Sequence, residues 1–120
     1  MKRVVLESPF AGNIPRNIAY AKLCIRDMIL RNEAPIASHL LFTQSGILDD
    51  NKPEERILGI AAGLAWVEVA DLQVFYVDFG ISKGMQAALD KAKEEDGLHK
   101  VEFRNLNIKV ISELRFAYPD

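Results

Sequence analysis

Carboxylates are the residues of this sequence best placed to do chemistry. Glu7 closes a short apolar run, Asp49-Asp50 and Glu54-Glu55 flank Lys52-Pro53, and Asp78 follows the apolar run that ends at Val77. Cleaving an N-glycosidic bond calls on such groups, because an oxocarbenium-like sugar needs a nearby negative charge or a carboxylate nucleophile. The catalytic candidates are therefore Asp78, Asp50, Glu54 and Glu7. The acids around Pro53 also have an ordinary role, since carboxylates at a helix start complement its dipole and an aspartate can cap it. His39 can donate to a ligand, exchange a proton, or simply satisfy a carbonyl. No second histidine is near it, His99 lying past a later helix. The single cysteine, Cys24, sits in a helical pattern as a buried thiol, so neither a metal site nor an internal disulfide is expected. Ser-His-Asp and Cys-His sets are absent, and no cofactor is implied.

Ligand-holding groups fall in three loops. Ser8-Pro9-Phe10-Ala11-Gly12-Asn13 leads into a helix whose unpaired amides favour an anion, and Ser8, Asn13 and Asn17 offer hydrogen bonds to a phosphate or a sugar hydroxyl. It is neither a Walker loop nor a Gly-x-Gly-x-x-Gly loop. The connection from Ser38 to Asp50 is long for a segment without structure of its own, and it carries His39 and Asp50. The third loop, from Asp78, holds Ser82 as a helix cap or phosphate donor and Gly84, where the missing side chain lets a ligand approach the backbone.

These loops need a scaffold of strands and helices. Arg3 to Leu6, Ala34 to Ala37, Asp71 to Val77 and Lys100 to Leu106 read as strands, the third covered on both faces and the fourth nearer an edge; Pro35 suits a strand start. Three amphipathic segments alternate with them. One runs from Asn13 as cap to about Asn32 with a stripe of Ile14, Ile18, Ala21, Ile25, Met28 and Ile29. Another starts at Asp50 or Asn51 as cap and runs to about Val69, with Ile57, Ile60, Ala61, Leu64 and Val67 as its stripe, and is expected to be buried. The third is capped by Ser82, buries Met85, Ala88, Leu89 and Ala92, and stops at Gly97. The tail from 107 to 120 reads as a further strand, a short helix, or an arm on a neighbouring subunit. Strands alternating with helices predict a three-layer α/β fold: a flavodoxin- or Rossmann-like parallel sheet of four to five strands, helices on both faces, ligands at the carboxyl ends of the strands.

Length and composition agree with one domain, 1–106, completed by the tail as a C-terminal strand or arm. There are 120 residues, net charge −2, and scattered rather than clustered lysines and arginines, so no face for a nucleic-acid backbone is expected. The basic start is broken at once by Glu7, Ser8 and Pro9 and reads as a strand, not a secretion signal. No stretch approaches the roughly 20 apolar residues that span a bilayer, so a cytoplasmic protein is expected.

Taken together, "SPFAGNIPRNIAYA", "PIASHLLFTQSGILDDNKPEERILGIAAG" and "VFYVDFGISKGMQAALDKA" resemble, in order and spacing, small phage and bacterial proteins of the nucleoside 2-deoxyribosyltransferase-like superfamily, over residues 3 to 104. The resemblance implies a flavodoxin-like fold, commonly a homo-oligomer, with base and sugar held over the strand ends. It carries binding roles onto Ser8, Pro9, Gly12, His39, Asp50, Gly84 and Met85. In catalytic members a glutamate between a glycine and an alanine, four residues from each, attacks the anomeric carbon. Here the glycine is Gly84, the alanine Ala92, and the glutamate position is Ala88. Asp90, two residues on, is turned by about 200° around the helix. The implied function is a nucleoside- or nucleotide-binding protein on an enzyme's fold without its nucleophile. Two alternatives stand beside it: an N-glycosidase or transferase acting on nucleosides or their monophosphates through another carboxylate, and an oligomeric interaction module without a small ligand.

Overall fold

In the computed structural model, which describes residues 1–120 apart from the side chain of Asp96, four parallel strands form one sheet in the order β2-β1-β3-β4. They are β1 (Lys2–Glu7), β2 (Glu33–Ile36), β3 (Leu72–Tyr76) and β4 (Val101–Arg104). Parallel strands this apolar are stable only with both faces covered. On one face, Val4, Leu6, Val74 and Tyr76 pack with Tyr20, Ala21, Cys24 and Met28 of α1 (Ile14–Leu30) and with Ile111 and Leu114 of the last helix (Ile108–Ala117). On the other, Phe75, Val77 and Val101 meet Met85 and Leu89 of the helix Lys83–Asp96. This is a three-layer, flavodoxin-like α/β fold.

Two further helices complete the order. A single turn, α2 (Ser38–Leu41), follows β2, and α3 (Pro53–Val69) precedes β3, which makes the helices after β3 and β4 α4 and α5. The helix α3 lies beside α4 across a cleft of about 250 Å³ that reaches Gln73 of β3.

Four expectations need correction. The helix Pro53–Val69 starts on Lys52 without a side-chain cap; Asp50 instead pairs with Arg56 at 3.1 Å. It is also not buried: Gly63 is its one buried residue, while Ile57 and Ile60 are more than half exposed. The apolar residues go round the whole helix, and a single chain supplies a partner for only one narrow side. In α1 the buried line runs through Asn17, Tyr20, Ala21, Cys24 and Met28, leaving Ile14 and Ile29 outside, because the buried Tyr20 ring rather than the isoleucines faces the sheet. Of the three readings of the tail, the short helix is the one found, and its assignment as a C-terminal strand or arm is corrected. The segment forms α5, whose Ile111 and Leu114 close the core over α1.

Candidate functional site

Strand order sets where the loops diverge. From β1 the chain crosses to β2 on one side, while β3 leads to β4 on the other, so the loops leaving the carboxyl ends of β1 and β3 part and leave a crevice.

The β1 loop is rigidly held. Gly12 takes φ +101°, a turn that side chains rarely adopt, and brings Asn13 to the start of α1. Asn13 is the expected cap, accepting from the Arg16 amide at 3.4 Å, and its Nδ2 donates to the Tyr118 and Pro119 carbonyls. Asn17 is buried; its Nδ2 donates to the carbonyls of Phe10 and Ala11 at 2.8 and 3.1 Å, fixing the loop from below. Both asparagines thus shape the site through the backbone. Pro9 is buried and Phe10 partly buried.

Ser8 and His39, thirty-one residues apart, meet at 2.7 Å between Oγ and Nε2, joining the ends of β1 and β2. Burial pushes the imidazole down to about 4, so it is neutral at pH 7 with one nitrogen donating and the other accepting. A base this weak has little pull on a serine proton. The pair is a hydrogen-bonding bridge, not an activated nucleophile.

Asp78, at the end of β3, is engaged by its own protein. Its carboxylate accepts from Tyr20 Oη at 2.6 Å and from the Leu106 amide at 3.0 and 3.1 Å, and its backbone amide donates to the same tyrosine oxygen. This ties the ends of β3 and β4 to α1. Burial and the Asp78 carboxylate hold the Tyr20 phenol far above its ordinary range, so it stays a donor. Beside it Phe79 stands edge-on to Tyr20 at 4.8 Å and carries two guanidinium groups, Arg16 at 4.2 Å and Arg115 at 4.8 Å from its centroid. Arg16 also pairs with Asp120 at 2.8 Å. Sequence reasoning missed Tyr20, Phe79, Arg16 and Arg115, since they lie on three elements and no spacing connects them.

In the third loop Ser82 caps α4, accepting from the Met85 amide at 3.2 Å. Gly84 stands in the first turn with open space where a side chain would be. Met85 is buried against Phe75 and Leu89, a floor rather than a contact surface. Ala88 is partly buried beside the same cluster and lines the α3–α4 cleft, while Asp90 is exposed and accepts from Gln86 at 2.9 Å. The acids before and within α3 stand apart: Asp50 is engaged by Arg56, Glu54 is exposed, and among the described residues neither bonds to Ser8, His39 or Asp78.

Glu7 differs from the other acids. It shares the sheet face of Gln73 and Phe75, and burial lifts its carboxyl to about 7, partly offset by a hydrogen bond with the Gln73 side chain. The Glu7 carboxyl is thus held near half-protonation at neutral pH.

A family model described as a domain of unknown function, DUF7768, matches residues 2–102. No curated protein matches the sequence. Among solved structures, the chain is similar to a 2-deoxyribosyltransferase from the psychrotolerant bacterium Bacillus psychrosaccharolyticus, with a TM-score of 0.55 and 15% identity, over 92% of this chain and 80% of that one. At this identity the likeness is one of fold.

Proposed function

The chain belongs to the DUF7768 family, and we propose that it is a nucleoside- or nucleotide-binding protein that keeps a deoxyribosyltransferase-like fold without the nucleophilic carboxylate. The observation that carries this reading is Ala88: a methyl group occupies the inward position on α4, and the nearest acid along the helix, Asp90, is turned outward onto Gln86. A methyl group cannot form a glycosyl ester. Binding is supported by the neutral Ser8–His39 bridge and by the open backbone at Gly84, both at strand ends where ligands of such sheets sit.

Titration calorimetry with deoxynucleosides and their 5′-monophosphates tests it. At least one is expected to bind saturably, His39→Ala is expected to weaken that binding about tenfold or more, as losing a buried hydrogen-bonding partner does, and chromatography is expected to find no free base above a heat-killed control. Free base from the wild-type protein, or no binding by any of the panel, overturns the reading.

A second reading, an N-glycosidase working through Glu7, is favoured by the position of that carboxyl at the end of β1 and by its lifted proton affinity, which suits an acid that protonates a leaving base. Base release that Glu7→Gln abolishes would establish it in place of the binder.

A further inference from the structure

Oxygen acceptors from three consecutive residues converge on two donors at the start of α1. Asn13 Nδ2 donates to the carbonyls of Tyr118 and Pro119 at 3.1 and 3.4 Å, and Arg16 Nη1 donates to the Asp120 carboxylate at 2.8 Å. On the arginine side the match is incomplete. The Arg16 side chain is only 13% exposed, whereas the Asp120 carboxylate that meets it is 78% exposed. Arg16 Nε is closed to water and has no partner among the described residues. A guanidinium carries five N–H groups, and each one buried without an acceptor is destabilising. Arg115 brings a second positive charge to the same Phe79 ring, and among the described residues Asp120 is the only carboxylate that pairs with either arginine. Asp78, next to Phe79 in sequence, bonds to Tyr20 and Leu106 instead.

We propose that Asn13 and Arg16 form a subsite for a phosphate monoester, and that the strap Tyr118–Asp120 fills it until such a ligand displaces Asp120. The strap presents oxygens and one negative charge; a phosphate monoester presents three oxygens on one atom with a charge nearer two. Arginine takes two such oxygens side by side, which gives Nε the acceptor it lacks. Asn13 keeps its Oδ1 on the Arg16 amide as helix cap and turns its freed Nδ2 to the ligand. The strap is held lightly, since residues 118–120 are exposed and an ion pair open to water contributes little. Asn13 belongs to the β1 loop and Phe79 follows β3, so the subsite spans the two loops that bound the crevice, and the inference rests on the nucleotide reading for the remainder of the ligand.

Titration calorimetry with deoxynucleosides, their 5′-monophosphates and deoxyribose 5-phosphate tests it. A monophosphate is expected to bind about tenfold more tightly than its nucleoside. Asp120→Asn, at an exposed position, removes the competing charge and is expected to widen that ratio about fivefold. Asn13→Asp still caps α1 but replaces a donor with a charged acceptor, and is expected to erase the ratio. Should that variant unfold, Arg16→Lys decides: it keeps the charge, loses the fork, and is expected to narrow the ratio severalfold. The Tyr118 amide, bonded to the Leu114 carbonyl at 2.9 Å, is expected to exchange with solvent about tenfold faster once a monophosphate saturates the protein. Nucleosides that bind as tightly as their monophosphates overturn the subsite and leave the nucleoside reading standing. Deoxyribose 5-phosphate bound as tightly as any nucleotide, and weakened by Asn13→Asp, upholds the subsite and overturns recognition of the base. A Tyr118 amide equally protected in the monophosphate complex, or no gain in Asp120→Asn, overturns the displacement of the strap, and no binding by any of the panel overturns both proposals.

Discussion

Glu7 and His39 flank the candidate site with opposite pH behaviour, and the signs can be worked out. The Glu7 carboxyl rises from 4.5 to about 7 on folding, so the folded chain holds its proton more tightly; the associated stability is complete below pH 4.5 and is lost as pH rises through 7. The His39 imidazole falls from 6.5 to about 4, so its neutral form is favoured by folding, and the associated stability is present above 6.5 and lost as pH falls toward 4. The two slopes nearly cancel in the wild type. Glu7→Gln removes one of them: between about pH 4 and pH 8 its stability relative to wild type is expected to improve by on the order of 3 kcal/mol. Urea denaturation at the two pH values measures this, and parallel curves would refute it. Single residues were only partly legible in advance. Ser8 and His39 were marked by their places after strands, but their contact spans thirty-one residues and depends on the sheet order. Asp78 was marked as an acid at a strand end; that Tyr20 and the Leu106 amide bond to its carboxylate follows from packing that no local pattern encodes.

At the scale of elements, Gly84 and Gly63 are both helical glycines with opposite surroundings. A methyl group at Gly84 meets nothing within 4 Å, and at Gly63 it would sit 2.6 Å from Ser38 Oγ and 3.3 Å from Ser38 Cβ. Replacing a helical glycine by alanine stabilises by about 0.5–1 kcal/mol when nothing is in the way. Gly84→Ala is therefore expected to raise the denaturation midpoint and yet to weaken ligand binding, because it fills the approach to the α4 backbone. Gly63→Ala is expected to gain none of that stability, the crowding against α2 offsetting it. Thermal melts and titrations on the pair separate the two roles; tighter binding by Gly84→Ala would exclude that helix turn from the site. Strands and helix types were readable because alternation, runs and caps are local signals. Burial of Pro53–Val69 was not, since a stripe of isoleucines says that a face wants covering without saying by which chain.

At the scale of the molecule, the sheet places β1 and β3 in the centre although some seventy residues separate them, and the edge strands β2 and β4 are only four residues long. A buried, two-pronged ion pair joins those edges: Arg104 donates to both Glu33 oxygens at 2.7 and 2.8 Å, holding the Glu33 carboxyl below its ordinary range. The parallel order was predictable from alternating strands and helices, whereas this clamp between two edge strands was not. One feature of α3 makes the molecule its own reporter. Trp66 is the only tryptophan, and it stands half-exposed on that helix. Its fluorescence needs no label. In urea the emission is expected to shift to longer wavelength as the indole loses the cover it has on the folded chain, so the denaturation of Glu7→Gln and of the glycine variants can be followed on the unmodified protein.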